Sequence, residues 1–171
     1  MVIFMQKKVF QLLVDNTAGV LSRISGLFSR RGYNIDSITV GVTADPRFSR
    51  ITIVTSGDDV ILEQIEKQVA KLENVRDIKE LKPDGSVYRE LILIKVKAEA
   101  HQRSGVISVS DIFRAKIIDV AQESLIIELT GNQTKIDAFI NLLSGYEILE
   151  LARTGITGLG RGTDNVTYID E

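Results

Sequence analysis

The chain runs twice through one order of hydrophobic patterns, and this repetition constrains its fold more than any single motif. In the first round, "KVFQLLV" (8–14) alternates as a strand does, with Phe10, Leu12 and Val14 on one face and Val9 and Leu13 on the other. Val20, Leu21, Ile24, Leu27 and Phe28 then recur at helical spacing, up to a helix stop at Gly32. Alternation returns in "NIDSITVGVT" (34–43), breaks at the turn "TADPR" (43–47) and resumes in "SRITIVT" (49–55). Gly57-Asp58-Asp59 opens a second helix carrying Leu62, Ile65, Val69 and Leu72, and "NVRDIKEL" (74–81) reads as a closing strand. The order is βαββαβ.

"KPDGS" (82–86) ends that round, because proline, aspartate and glycine together stop any regular element. The second round has a strand in "RELILIKVKA" (89–98) and a helix over 104–114 with Val109, Ile112 and Phe113 inward. A hairpin of "KIIDVA" (116–121) and "SLIIELT" (124–130) follows, turning over Gln122-Glu123. Gly131-Asn132 precedes a helix with Ile136, Phe139, Ile140 and Leu143, and "YEILELA" (146–152) closes the set. Leu27-Phe28 aligns with Ile112-Phe113, and Ile51, Ile53 and Gly57 with Leu125, Ile127 and Gly131. The expected fold class is α+β: two tandem ferredoxin-like βαββαβ domains, residues 1–81 and 88–171, joined by a linker at 82–87. Each sheet carries its helices on one face and leaves the other open. Strand 8–14 is apolar on both faces, so a second copy or another chain is expected to cover it. The tail "TGITGLGRGTDNVTYIDE" (154–171) is assigned to the second domain, as a loop or extended arm rather than a packed element.

Composition removes several classes of function. A net charge of -2 leaves no electrostatic footprint for nucleic acid. The absence of cysteine excludes disulfides, a thiolate nucleophile and zinc-thiolate sites. His101 is the sole histidine, in the loop "EAHQRSG", and no nucleophile stands with a base, so no catalytic residue is assigned. The carboxylates Asp15, Asp36, Asp58, Asp59, Glu147 and Glu150 read as solvated turn and strand residues. "GLGRG" lacks the Lys-Ser/Thr of a phosphate loop. No apolar run approaches the ~20 residues that span a bilayer, and "MVIFMQKKVF" lacks a secretory h-region, so no membrane partner and a cytoplasmic location are expected. Ferredoxin-like folds also host RNA readers, which keeps a nucleic-acid-binding module as the alternative, although the chain has no RNP-like Gly-Phe-Gly-Phe run.

The first strand-to-helix turn, "DNTAG" (15–19), supports two readings. Backbone N–H groups at a helix start lack intrahelical partners and favour an anion. Asn16 can donate and accept, and Gly19 allows close approach to the backbone, so the turn suits the carboxylate and ammonium of a zwitterion. The plainer reading, which helix chemistry by itself favours, is that Asp15, Asn16 or Thr17 simply caps the helix. Arg23, Arg30 and Arg31 face away from the apolar stripe, as a solvated surface or a docking surface for a partner.

"LLVDNTAGVLSRISGLFSRRGYNIDSITVG" (12–41) resembles the ACT domain of the small regulatory subunits of acetolactate synthase (acetohydroxyacid synthase). The matching residues are Asn16, Gly19, Val20, Leu21 and Arg23, then Leu27, Phe28 and the block Arg31-Gly32-Tyr33-Asn34-Ile35. "DPRFSRITI" (45–53), "LEQIEKQVAKL" (62–72), "RELILIKV" (89–96), "IFRAKIIDV" (112–120) and "ARTGITGLGRG" (152–162) extend the likeness over essentially the whole chain. The second half has Glu99-Ala100-His101-Gln102 where the first has its Asn-x-x-Gly turn, so the resemblance implies one effector site, in the first domain. It further implies a non-catalytic subunit that binds valine, leucine or isoleucine as feedback effector and stimulates a separate catalytic large subunit. No cofactor or metal is then expected in this chain; thiamine diphosphate, Mg and FAD belong to the catalytic partner. The resemblance implies a homodimer through the ACT domain, paired along strand 34–43. Its effector-binding residues are Asn16, Ala18, Gly19, Val20 and Leu21 of one copy with Asn34 and Ile35 of the other.

Overall fold

The computed structural model of the chain describes residues 5–163. Its first sheet contains β1 (Gln6–Asp15), β2 (Asn34–Val42), β3 (Phe48–Gly57) and β4 (Val75–Leu81), antiparallel in the order β2-β3-β1-β4. The helices are α1 (Val20–Arg31) and α2 (Asp59–Ala70). Strand β1 is central: it pairs with β3 from Gln6↔Gly57 to Asp15↔Phe48, and with β4 on its other side. That position explains why its residues 9–14 are all buried.

Phe10, Leu12, Val14, Ile51 and Ile53 form the sheet's half of the core, under Val20, Ile24, Leu27, Phe28, Leu62, Ile65 and Val69. Burying each such side chain contributes roughly 1.5–3 kcal/mol. The inward stripe of α1 is narrower than its spacing predicts. Leu21 is 46% exposed, because position 21 is turned off the line set by Val20, Ile24 and Phe28. Gly32 ends α1, and the Asp58 carboxylate caps α2 by accepting the Ile61 N–H at 2.8 Å.

The second sheet contains β5 (Ser86–Lys97), β6 (Lys116–Val120), β7 (Ser124–Gly131) and β8 (Ile148–Arg153) in the order β6-β7-β5-β8, with α3 (Arg103–Ile112) and α4 (Gln133–Leu142) on one face. Both halves thus have the ferredoxin-like order, with corresponding strands in corresponding places. One expectation fails: Ile112 is 75% exposed. Helix α3 instead turns Val106 and Ser110 inward, with Val109 and Phe113 against the core, a stripe that leaves position 112 outward. Ser110 is tolerated inside because its hydroxyl donates to Val106 O at 2.8 Å.

The tail also departs from expectation. The described residues separate into one compact unit comprising 5–87 together with 156–163, and a second comprising Tyr88–Gly155. Residues 157–160 form a short strand, β9 (Thr157–Gly160), which pairs with β5 and lies against β3 and β4 of the first unit. Gln11 Nε2 donates to Gly158 O at 3.4 Å, Thr39 Oγ1 to Ile156 O at 3.2 Å, and Arg161 N to Gly85 O at 2.8 Å. Gly155 has φ 82, a left-handed conformation open to glycine at little cost, and Ile156 and Gly158 are buried. The open face of β1 therefore receives part of its cover from the chain's own tail, rather than wholly from a second copy or another chain. A cut at the linker would remove β9 from the first unit. Residues 164–171 of the tail lie outside the described residues. Among the described residues no helix is long and apolar enough to cross a membrane.

Candidate functional site

The turn between β1 and α1 is held from both sides by loops distant in sequence. On one side, the Asp15 carboxylate accepts from Arg76 Nε at 2.7 Å and Nη2 at 3.1 Å, and from Asn74 Nδ2 at 3.2 Å. The Asp15 N–H donates to Asn74 O at 2.9 Å. On the other side, Asn16 N donates to Arg47 O at 2.8 Å and its Nδ2 to Pro46 O at 2.9 Å.

These bonds bear on the capping reading of the turn. Asp15 and Asn16 are committed elsewhere, and the N-cap position falls to Gly19, at φ 87 and ψ -8, with no side-chain cap. The expectation that Asp15, Asn16 or Thr17 caps α1 is thus not met. Thr17, Ala18 and Gly19 are exposed, and the first N–H groups of α1 have no side-chain acceptor.

The remaining site residues divide into two groups. Val20 turns into the core, so Leu21 is the exposed apolar side chain of the first helical turn. Asn34 and Ile35 lie beyond the other end of α1, at the start of β2. A 12-residue helix is about 18 Å long at ~1.5 Å per residue, so within one copy Asn34 does not reach Gly19. Asn34 Nδ2 donates to the Asp36 carboxylate, which also accepts from Ser56 Oγ. Strand β2 is an edge strand with Val40 50% and Val42 60% exposed. A cleft of about 440 Å³ runs along it, lined by Thr39, Gly41, Thr43, Arg50, Thr157 and Leu159 among others.

Other residues singled out from the sequence have structural partners. Arg23 donates to Asn74 Oδ1, and Arg31 Nη2 to Gln68 Oε1 at 3.3 Å, so two of the three arginines read as a solvated or docking surface bond within the unit. Glu147 and Glu150 pair with Lys97 at 3.6 Å and Lys95 at 3.0 Å. His101 is exposed, 3.8 Å from Glu99. Asn74 and Arg76 were missed from sequence; an Asn before a strand gives no signal beyond that of an ordinary turn.

The hydrogen bonds from Arg76 hold the Asp15 carboxyl below its ordinary 3.8, aided by Asn74 and by the guanidinium charge, while burial pushes the other way. A depressed pKa stabilises the fold above 3.8, and that stability is lost as pH falls through the lower folded value. The difference in unfolding free energy between the parent and Arg76→Gln should be constant near neutral pH and shrink in acid. Urea melts showing an undiminished difference well below pH 3.8 would contradict the pairing.

Residues 10–77 match the family model described as "AHAS small subunit-like ACT domain", and residues 89–162 the model "Small subunit of acetolactate synthase". The chain is 47% identical over 156 residues to the probable acetolactate synthase small subunit of Methanothermobacter thermautotrophicus, covering 91% of this chain and 93% of that one. It is 50% identical over 151 residues to the acetolactate synthase small subunit of Mycolicibacterium smegmatis, covering 88% and 89%. The chain belongs to the acetolactate synthase small-subunit family. The crystal structure of the acetolactate synthase small subunit from Thermotoga maritima superposes with a TM-score of 0.86 at 43% identity, covering 93% of this chain and 99% of that one. Within this small-subunit architecture the Asn16–Gly19 turn lies in the ACT-matching half. Strand β9 lies inside the segment matched by the second small-subunit model, although it packs with the first unit.

Proposed function

We propose that this chain is a non-catalytic regulatory subunit that binds a branched-chain amino acid between the ACT domains of two copies and thereby modulates an acetolactate synthase large subunit. Family membership supports the regulatory role, and one geometric relation carries the site. Asn16 is bonded to Pro46 and Arg47, in the loop that follows β2. The far end of β2 therefore lies beside the effector turn, while its start carries Asn34. Antiparallel pairing of β2 with the β2 of a second copy sets the start of one strand against the end of the other. Asn34 and Ile35 of one copy then approach the Asn16–Gly19 turn of its partner, which they do not reach within one chain. The effector carboxylate takes the N–H groups around Gly19, the ammonium takes side-chain or backbone oxygens, and Leu21 with Ile35 flanks the branched side chain.

In this reading the chain needs no cofactor, and thiamine diphosphate, Mg and FAD sit in the large subunit. Calorimetry with the twenty amino acids should show saturable binding of valine, leucine or isoleucine alone, and sedimentation should show at least a dimer at micromolar concentration. Val40→Lys with Val42→Lys, which charges the pairing edge, should reduce both. A parent chain that sediments as a clean monomer and binds none of the three would overturn the proposal.

A further inference from the structure

The side chain and carbonyl of Asn74, 59 residues from Asp15 in sequence, grip the effector turn at both of its ends. Before the turn, Asn74 O accepts the Asp15 N–H at 2.9 Å and Asn74 Nδ2 donates to the Asp15 carboxylate at 3.2 Å. After the turn, Asn74 Oδ1 accepts from the guanidinium of Arg23. Arg23 belongs to the first turn of α1, and its own N–H donates to Gly19 O at 3.0 Å, the opening bond of that helix. One residue just before β4 therefore ties the end of β1 and the beginning of α1 to a common point, with Asn16–Gly19 spanning the gap.

We infer that Asn74 is a positioning residue for the effector turn: through Asp15 and Arg23 it sets the angle between β1 and α1, and so the direction in which the N–H groups around Gly19 point. This rests on the effector-site reading above. It also gives Arg23 a function at the site that does not involve docking. Arg23 is exposed and Asn74 half-exposed, so their bond contributes little to global stability, since solvent competes for both partners. Its directional effect is different, because hydrogen bonds to a ligand carboxylate weaken steeply with misalignment.

The test is a double-mutant cycle in the full chain, read by calorimetry with valine, leucine and isoleucine. Asn74→Ala and Arg23→Ala should each weaken binding by about tenfold, and the double variant no more than Asn74→Ala alone, because Asn74→Ala already removes the Arg23 contact along with its bond to the Asp15 carboxylate. Thermal midpoints should move little. In NMR spectra without amino acid, the amide signals of Ala18–Leu21 should shift in each variant, while those of Leu62 and Ile65 in α2 should not. Parental affinity in Asn74→Ala, or losses that multiply to about a hundredfold in the double variant, would overturn the inference. If the parent binds none of the three amino acids, the effector-site reading fails by itself. The amide signals then decide the positioning claim: shifts at 18–21 uphold the tie through Asn74, and unmoved signals refute it.

Discussion

If the proposed effector site is right, Gly19→Asp should abolish binding of a branched-chain amino acid and leave the chain folded, the largest functional effect expected from a single substitution here. The fold tolerates the change for two reasons. A Cβ built at Gly19 meets nothing within 4 Å, so no packing is disturbed. The backbone at φ 87 costs an ordinary L-residue roughly 1–2 kcal/mol, and aspartate is among the side chains that accept that region most readily. Binding does not tolerate it. The new carboxylate sits at an uncapped helix start, where it takes up the N–H groups that would hold the effector. It also opposes the effector's own carboxylate. Two like charges about 4 Å apart at a protein surface repel by roughly 4 kcal/mol, on the order of a thousandfold in affinity. Gly19→Ala carries the backbone strain without the charge and should lose far less. Calorimetry on the two variants separates charge from strain, and parental affinity in Gly19→Asp would place the site elsewhere.

The largest stability effect is expected in the second unit, from Arg153→Ala. Glu90 on β5 is buried, with only 4% of its side chain exposed. Its carboxylate accepts from Arg153 Nε at 2.9 Å and Nη2 at 2.8 Å, and Arg153 Nη1 reaches Asp137 at 2.8 Å. Truncating the arginine strands a carboxylate away from water. Breaking such a pair from one side costs about 3–5 kcal/mol, a large part of the roughly 5–15 kcal/mol that holds a domain together. The Arg153 side chain is 27% exposed, so the lower part of that range is expected as water reaches the gap. Replacing both partners, Glu90→Gln with Arg153→Met, removes the stranded charge and should recover most of the loss. Urea unfolding of the single and double variants measures this directly. A single-variant loss under about 1 kcal/mol would mean that the pair behaves as a surface ion pair.

The local features of this protein were legible in its sequence because each depends on residues within about four positions of one another. Hydrophobic period alone separates β1 from α1 and predicts both βαββαβ rounds. Asp58 and Asn132 were readable as helix starts, and each accepts an N–H three residues on. Gly19 drew attention as a glycine at a strand-to-helix turn, and the structure gives it a left-handed φ at the helix start. The tertiary structure decided where competing polar groups go. Asp15 and Asn16 have good capping chemistry, but Arg76 and Pro46, 61 and 30 residues away, claim their side chains, and the helix start is left open. No local pattern encodes that competition, since it depends on which loops the fold brings to the same end of the sheet. The same holds for β9, whose glycine-rich stretch reads locally as a free arm but becomes a strand by pairing with β5, over a sheet face where Gln11 and Thr39 also bond it. Periodicity can specify which face of an element is buried; which distant segment covers that face is decided by geometry that exists only after the chain has folded.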